Sequence, residues 1–450
     1  MGKYHFIAIG GIGMSGLAKY LLEEGHSVTG SDIEDSKYVN SLRKLGASVF
    51  IGHNENNLSN DTDTVIVSTA IRDNNPELIK AKELGIKIYH RSDLLKEIAE
   101  SAQKNGKVFI GFAGTHGKTT TSGMASYVLD KSNYNPSFVV GGIVPEIYTN
   151  AQHKAGEYFV AELDESDGTL VKYHPNILVI NNLEEDHLDF YKNGMNDIVS
   201  VFNKAVAQSK KVLVNADNDG VKLLSGKLIT FGLNNADYTA KNIQTSSKGT
   251  SFEFYKNSTK LVTINVELTG KHNIYNTLAV AAALVEGGVD IEIIKEMFSS
   301  FTGMGRRFQK VCELDGIKVY DDYAHHPTEI NAVLDSASTK FGRSNIVAVF
   351  QPHRYTRLKG LWKEFKECFS NAGRIIVTDV YEASEDPIEG ITGENFAKER
   401  CIEHYSGSIR EVAEKLYPTL KNGDVVIGLG AGTITNLGKY LEECHFASRV

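Results

Sequence analysis

Val108-Phe109-Ile110-Gly111-Phe112-Ala113 runs without interruption into Gly114-Thr115-His116-Gly117-Lys118-Thr119-Thr120, and a helical pattern continues to about Leu129. An apolar strand, a glycine-bearing loop and a helix in that order make a phosphate loop. Backbone N–H groups of such a loop wrap a β-phosphate, the lysine reaches the β/γ oxygens, and the hydroxyl after it can hold Mg²⁺. The strict pattern wants glycine five residues before Gly117, where Phe112 stands, so the loop is a variant G-T-x-G-K-T. The segment predicts ATP binding. Lys118 is expected to face solvent when ATP is absent.

Downstream, buried strands read as Tyr158–Glu162, Ile177–Ile180 and Lys211–Asn215. Glu162-Leu163-Asp164-Glu165-Ser166-Asp167 leaves the first of these, and Asn181-Asn182-Leu183-Glu184-Glu185-Asp186-His187-Leu188-Asp189 leaves the second. Carboxylates and a histidine at strand carboxyl ends lie where open α/β sheets place ligands, and they suit hard Mg²⁺ better than structural zinc. Between about Tyr238 and Leu268 the pattern alternates with period two, an antiparallel patch. A helix, Asn273–Glu286, follows.

Upstream, strand and helix signals alternate: His5–Ile9, Ser15–Glu24, Ser27–Gly30, Tyr38–Leu45, Thr64–Ser68 and Ile86–Tyr89. That alternation implies a parallel sheet covered by helices. The polar stretch Ala99–Lys107 reads as the separator from the phosphate-loop domain. Gly11-Ile12-Gly13-Met14-Ser15-Gly16 fits G-x-G-x-x-G, and Asp32 closes the next strand about twenty residues on, the fingerprint of a diphosphate-binding turn. An NAD-type cofactor and a UDP-sugar present the same diphosphate.

From about Val311 a third α/β unit begins, with strands Ile317–Tyr320, Ile346–Phe350, Arg374–Thr378 and Val425–Gly428 and helices Thr328–Ser336, Leu361–Phe369, Ile409–Leu416 and Thr435–Glu443. Asp321-Asp322-Tyr323-Ala324-His325-His326-Pro327 ends one strand and Gln351-Pro352-His353-Arg354-Tyr355-Thr356-Arg357 another, read as its neighbour. Two arginines three apart beside histidines suit bidentate capture of a small carboxylate. A zinc site of His325, His326 and His353 is the competing reading. Arg306-Arg307 lies at the hinge before this domain, placed to reach ATP across a cleft. Gly428-Leu429-Gly430-Ala431-Gly432 is a further strand-to-helix turn with no assigned role.

A net charge of −8 argues against a nucleic-acid partner, which would want a basic face. Four scattered cysteines without a CxxC pair fit a reducing cytosol rather than a disulfide or zinc framework. The apolar stretch Leu278–Val285 is far too short to span a bilayer, and the N-terminus reads as a strand rather than a signal peptide. The expected protein is cytoplasmic, with no membrane partner, and a monomer or weak homodimer.

These motifs in this order resemble the Mur ligase family over essentially the whole chain, including Lys271-His272-Asn273 with Asn276, and Arg306-Arg307-Phe308. Asn181-Asn182-Leu183 replaces the family's single-Asn lead, and Glu382-Ala383-Ser384-Glu385 stands where an A-G-E segment is usual. The resemblance implies an α/β fold of three domains. These are a Rossmann-like UDP-sugar domain (1–105), a central P-loop ATPase-like domain with an antiparallel patch (106–310), and a Rossmann-like acceptor domain (311–450). It implies ATP-dependent ligation of L-alanine to UDP-N-acetylmuramate with Mg²⁺. The alternatives are a member that attaches a murein tripeptide and, remotely, an NAD-dependent oxidoreductase. Residue by residue, it places Gly114, Thr115, His116, Gly117, Lys118, Thr119, Thr120, His272, Asn273, Asn276, Arg306 and Asp322 at ATP. Thr119, Glu162 and His187 would hold metal, and Lys118, Glu162, His187 and Arg307 would act in catalysis. Gly11, Gly13, Ser15, Gly16, Asp32, Ser68, Thr69 and Arg91 would hold the UDP-sugar, and Tyr323, His325, His353, Arg354 and Arg357 the amino acid.

Overall fold

The structure, a computed structural model, describes every residue except Asp189, Ser247, Ser384 and Val450. Asp189 of the second acidic cluster and Ser384 of the 382–385 segment therefore lie outside the described residues. By compactness the chain divides into one unit of 1–242, 252–264 and 275–301 and another of 243–251, 265–274 and 302–450. The elements assemble into three sheets.

The first sheet is wholly parallel, in the order Ser48–Ile51, Ser27–Asp32, Lys3–Ile7, Thr64–Val67, Lys87–His90. The direction of strand succession reverses beside Lys3–Ile7, and the glycine turn at Gly10–Gly16 leaves that strand. This is the switch point at which doubly wound sheets bind ligands. In this domain the edge strand Ser48–Ile51 and the helices Pro76–Glu83 and Arg91–Lys104 are among the elements that the sequence pattern does not announce. Ala99–Lys107 is accordingly not a polar linker along its whole length. Residues up to Lys104 are helical, because Leu94, Leu95, Ile98, Ala99 and Ala102 recur at helical spacing and are all buried.

The second sheet has ten strands, with Val108–Ala113 between Ile177–Ile180 and Tyr158–Glu162. Both pairings are parallel, with Ala113 level with Ile180 and Phe112 level with Glu162. Parallel register therefore brings both acidic segments to the carboxyl end of the phosphate-loop strand. The strands Tyr238–Ser246, Gly249–Lys256 and Thr259–Val266 form the period-two patch. Connections of two residues between hydrogen-bonded neighbours admit only antiparallel pairing.

The third sheet runs Gln309–Leu314, Ile317–Asp322, Val425–Leu429, Ile346–Phe350, Arg374–Thr378, Glu403–Tyr405, with only the first pairing antiparallel. Ile317–Asp322 and Ile346–Phe350 are not neighbours, contrary to the sequence reading, because Val425–Leu429 is inserted between them. The expected helix Leu361–Phe369 starts earlier, as Tyr355–Gly360 and Trp362–Glu367, so Arg357 sits on a helical turn and Arg354 caps it.

Candidate functional site

Gly114 and Gly117 have φ of 121° and 83°, values that favour glycine. A Cβ on Gly114 would stand 2.8 Å from the Asn182 carbonyl, and one on Gly117 would stand 2.7 Å from Asn276 Oδ1. The loop is thus clamped from the Asn181-Asn182 pair that leaves the adjacent strand. Thr115 and His116 donate their N–H groups to the Asn182 carbonyl and Oδ1 at 3.1 and 2.7 Å, and Asn182 Nδ2 returns a bond to the His116 carbonyl at 3.1 Å. Asn181 Nδ2 donates to Thr121 Oγ1. The helix Lys118–Lys131 carries no side-chain cap on its first turn. The N–H groups of Lys118, Thr119 and Thr120 have no intrahelical acceptor there, which makes an anion cradle.

Lys118 does not face solvent as expected. Its side chain is 14% exposed and pairs with Glu165 Oε1 at 2.8 Å. Its ammonium also donates to the carbonyls of Gly114 and Thr115 at 2.7 and 3.2 Å. The reason is electrostatic: burial alone would push its proton off, but Glu165, Asp164 and Glu162 surround it and hold the pKa above the ordinary lysine value. Burial pushes the Glu165 carboxyl up to about 7, against the pull of Lys118 and with the help of Asp164. Asp164 is itself held well below the carboxylate range, despite burial, by Arg91 and Lys118. Arg91 is ion-paired directly to Asp164. Glu162 accepts the Gly141 N–H at 2.9 Å, and the space its carboxylate fills leaves no room for a Cβ on Gly141. His187 sits at φ 54°, 3.6 Å from the Asp186 carboxylate.

In the first sheet, Asp32 turns back on the glycine turn, accepting the N–H groups of Gly10 and Glu34 at 2.8 and 3.1 Å. A Cβ on Gly16 would stand 2.8 Å from Asn150 Nδ2, whereas one on Gly13 would meet nothing within 4 Å. Gly16 is a packing glycine, and Gly13 leaves open space beside the backbone. The Ser15 hydroxyl donates to the Ile12 carbonyl. Ser68 and Thr69 follow the strand Thr64–Val67, and Arg91 opens the helix Arg91–Lys104.

In the other unit a cationic cluster forms. Tyr323 and His325 lie edge to face at 5.2 Å, His325 and His353 are 5.8 Å apart, and His353 stacks on Tyr381 at 5.5 Å. Arg306 and Arg307 lie over the Tyr323 ring at 4.9 and 5.3 Å. Arg357 Nη1 approaches His353 Nδ1 at 3.2 Å, and Arg354 holds φ 70° with its N–H on the Tyr381 carbonyl. Burial, with His325, Arg357, Arg354 and Arg306 adding, drives the His353 pKa down to about 3. The unassigned glycine turn explains how segments from non-adjacent strands meet. A Cβ on Gly430 would stand 2.8 Å from the Gln351 carbonyl, and one on Gly432 2.6 Å from both Gln351 Oε1 and the Tyr381 ring. The three-histidine zinc site is not formed, since His326 caps the helix Pro327–Phe341 in a capping box with Glu329.

Several ATP assignments fall on residues that also support this unit. Asp322 is buried, accepting the Phe308 and Ala324 N–H groups at 2.6 and 2.7 Å, and burial raises its pKa to about 6 despite Arg307. Arg306 pairs with Asp321 at 3.1 Å and donates to the Gly430 carbonyl at 2.9 Å, while Arg307 lies 3.8 Å from Glu329. His272 is driven down to about 4 by burial and by Arg307. Asn273 donates to the Thr269 carbonyl at 2.9 Å. The sequence segments that hold Asn182, Asp164 and Glu165 point to ligands and metal, but not to the clamp on the loop or the pairing with Lys118; their position after strands flanking the loop strand is the signal for both.

The chain matches the models for the Mur ligase family catalytic domain over residues 3–103, the Mur ligase middle domain over 112–284, and the Mur ligase glutamate ligase domain over 306–432. It is 41% identical to the UDP-N-acetylmuramate–L-alanine ligase of Geotalea daltonii, covering 98% of this chain and 97% of that one. The crystal structure of UDP-N-acetylmuramate-alanine ligase from Thermotoga maritima superposes with a TM-score of 0.85 at 31% identity, covering both chains fully. A murein peptide ligase from Psychrobacter arcticus, 23% identical, shares the fold with a TM-score of 0.76 over 99% of this chain and 98% of that one. The chain belongs to the Mur ligase family.

Proposed function

We propose that this chain is the ATP-dependent ligase that joins L-alanine to the muramoyl carboxylate of UDP-N-acetylmuramate in peptidoglycan synthesis. The observation that carries the reading is the near-full-length identity to relatives of that activity. The muramoyl carboxylate attacks the γ-phosphorus of ATP, giving an acyl phosphate and ADP. The alanine amine then attacks the acyl carbon, the acyl C–O bond breaks, inorganic phosphate leaves with the bridging oxygen and the electron pair, and the nitrogen gives up a proton to leave the amide.

Lys118 and the first-turn N–H groups of its helix neutralise and orient the phosphates. Thr119, Glu162 and His187 would hold Mg²⁺. Their hydroxyl, carboxylate and imidazole donors, and the surplus of carboxylates around a single lysine, suit a hard dication that shields phosphate charge. The turn at Gly13 would take the UDP diphosphate. Tyr323, His325, His353, Arg354 and Arg357 would fix the alanine carboxylate, since Arg354 and Arg357 supply the positive charge that a small carboxylate needs. We assign the UDP-sugar to residues 1–105, ATP to 106–310 and the acceptor to 311–450, in a cytoplasmic monomer or weak homodimer. Among the described residues no helix is long and apolar enough to cross a membrane.

The test is phosphate release from ATP with UDP-N-acetylmuramate against a panel of amino acids and L-Ala-γ-D-Glu-diaminopimelate. Release should require both the sugar nucleotide and L-alanine. Preference for the tripeptide would make the chain a tripeptide-attaching ligase, and NAD binding without sugar-nucleotide binding would overturn the reading.

A further inference from the structure

The mechanism leaves a buried carboxyl group beside the phosphate loop without a task. Glu165 is 3% exposed and sits three residues past Glu162, on the turn that leaves the strand Tyr158–Glu162. Its Oε1 takes one proton of the Lys118 ammonium, and the Gly114 and Thr115 carbonyls take the others. A lysine ammonium has three protons, so Lys118 is fully committed to protein acceptors. It cannot donate to a phosphate oxygen without giving one of them up.

The two loop carbonyls are neutral, move with the loop, and lie three and four residues from the lysine. Glu165 is a carboxylate on a different element, and its other oxygen, Oε2, is buried with no hydrogen-bond partner among the described residues. The turn itself is anchored. The Glu165 carbonyl accepts both the Tyr191 hydroxyl and the Gly168 N–H, and the neighbouring Asp164 is ion-paired to Arg91. The carboxylate therefore cannot easily follow Lys118 or withdraw. Asp164 already has its own cation, so Glu165 is the carboxylate that bears directly on the lysine.

We infer that Glu165 is an internal competitor for the phosphates of ATP, a positioning residue that holds Lys118 across the loop and weakens nucleotide binding so that ADP can leave after the acyl phosphate forms. Binding exchanges a carboxylate oxygen for a phosphate oxygen on the same ammonium, and the displaced carboxylate stays beside the incoming negative charge. Burial, which already disfavours the charged form of Glu165, is the same pressure that makes its separation from Lys118 costly. This inference rests on the ATP-binding reading of the loop and adds to it a restraint on affinity.

The test is isothermal titration of ATP and of ADP, each with magnesium chloride, into the wild type, Glu165→Gln and Glu165→Asp, with stopped-flow ADP release. Glu165→Gln keeps an acceptor for Lys118 and removes one unit of negative charge beside the phosphates. It should bind both nucleotides about tenfold more tightly and release ADP correspondingly more slowly. Glu165→Asp keeps the charge but draws it back by one methylene, and should show a smaller shift in the same direction. A carboxylate with a merely structural role would give the opposite result, weaker binding in both variants. Unchanged or weaker nucleotide binding by Glu165→Gln overturns the inference, and if that variant does not fold, the same result from Glu165→Asp does so. A wild type that binds no ATP overturns the ATP reading and this inference with it, whereas wild-type binding with no gain in the variants overturns this inference alone.

Discussion

The phosphate loop and the Tyr323–Arg357 cluster both lie at the carboxyl ends of parallel strands, and their electrostatics are opposite. Around the loop one lysine faces Glu162, Asp164 and Glu165, and burial lifts a carboxyl to about 7. In the cluster burial, with His325 and three arginines adding, holds one imidazole neutral down to about 3. A site for a polyanion that arrives with a dication needs carboxylates as well as a lysine. A site for a bare carboxylate needs cations alone. On the proposed reading, the sign of the surplus charge therefore separates a metal-assisted phosphate site from an acceptor site.

The largest expected effect is that of Lys118→Ala, which should lower turnover by about 100-fold or more through loss of a charge on the transferring phosphoryl group. Because Lys118 is buried against Glu165, the variant should also lose about 3 kcal/mol of stability from the carboxylate left behind. Adding Glu165→Gln should restore the melting temperature without restoring turnover. A Lys118→Ala protein that melts like the wild type would show that the ion pair is not formed in solution.

Asn182→Ala removes the side-chain clamp on His116 and should weaken ATP about tenfold while leaving the alanine KM in place. Equal changes in both constants would count against a loop-specific role. On the other side of the comparison, Arg354→Lys should raise the alanine KM severalfold with little change for ATP, because an ammonium cannot reproduce a bidentate fork.

The glycine turn of the first sheet offers a finer contrast. Gly16→Ala meets Asn150 and should destabilise the fold by about 1 kcal/mol. Gly13→Ala meets no described residue within 4 Å and should instead raise the KM for the sugar nucleotide. If Gly13→Ala lowers the melting temperature and spares that KM, the turn is structural only.

The smallest effect is a pH slope. The unfolded chain protonates its histidines at about 6.5, while folded His353 refuses a proton down to about 3. The unfolded state therefore binds more protons in that window, and stability falls as pH drops below about 6.5. His353→Gln removes this contribution, so the difference in urea midpoint between wild type and variant should shrink or reverse from pH 7 to pH 5. A difference that is constant with pH would place His353 in an ordinary, solvated environment.

Much of the architecture was legible because short-range physics dictates it. The strands Tyr158–Glu162, Ile177–Ile180, Lys211–Asn215 and Ile346–Phe350 have apolar centres of at least three residues, and they appear with the same limits in the structure. Helix limits were harder. Ala99–Lys107 looked like a linker because its outward face is polar, although Ala99 and Ala102 are buried.

Readable without any structure were the three α/β units and the phosphate loop between its strand and helix. Spacing and side-chain type are sufficient for these. Only the tertiary structure decided that Lys118 is spoken for by Glu165, that Asn182 clamps the loop, that His326 is a helix cap, and that a glycine turn lies between the two halves of the cationic cluster. Each of these depends on which strands lie side by side. Strand order is set by the packing of the whole sheet, at sequence separations that no local pattern reports.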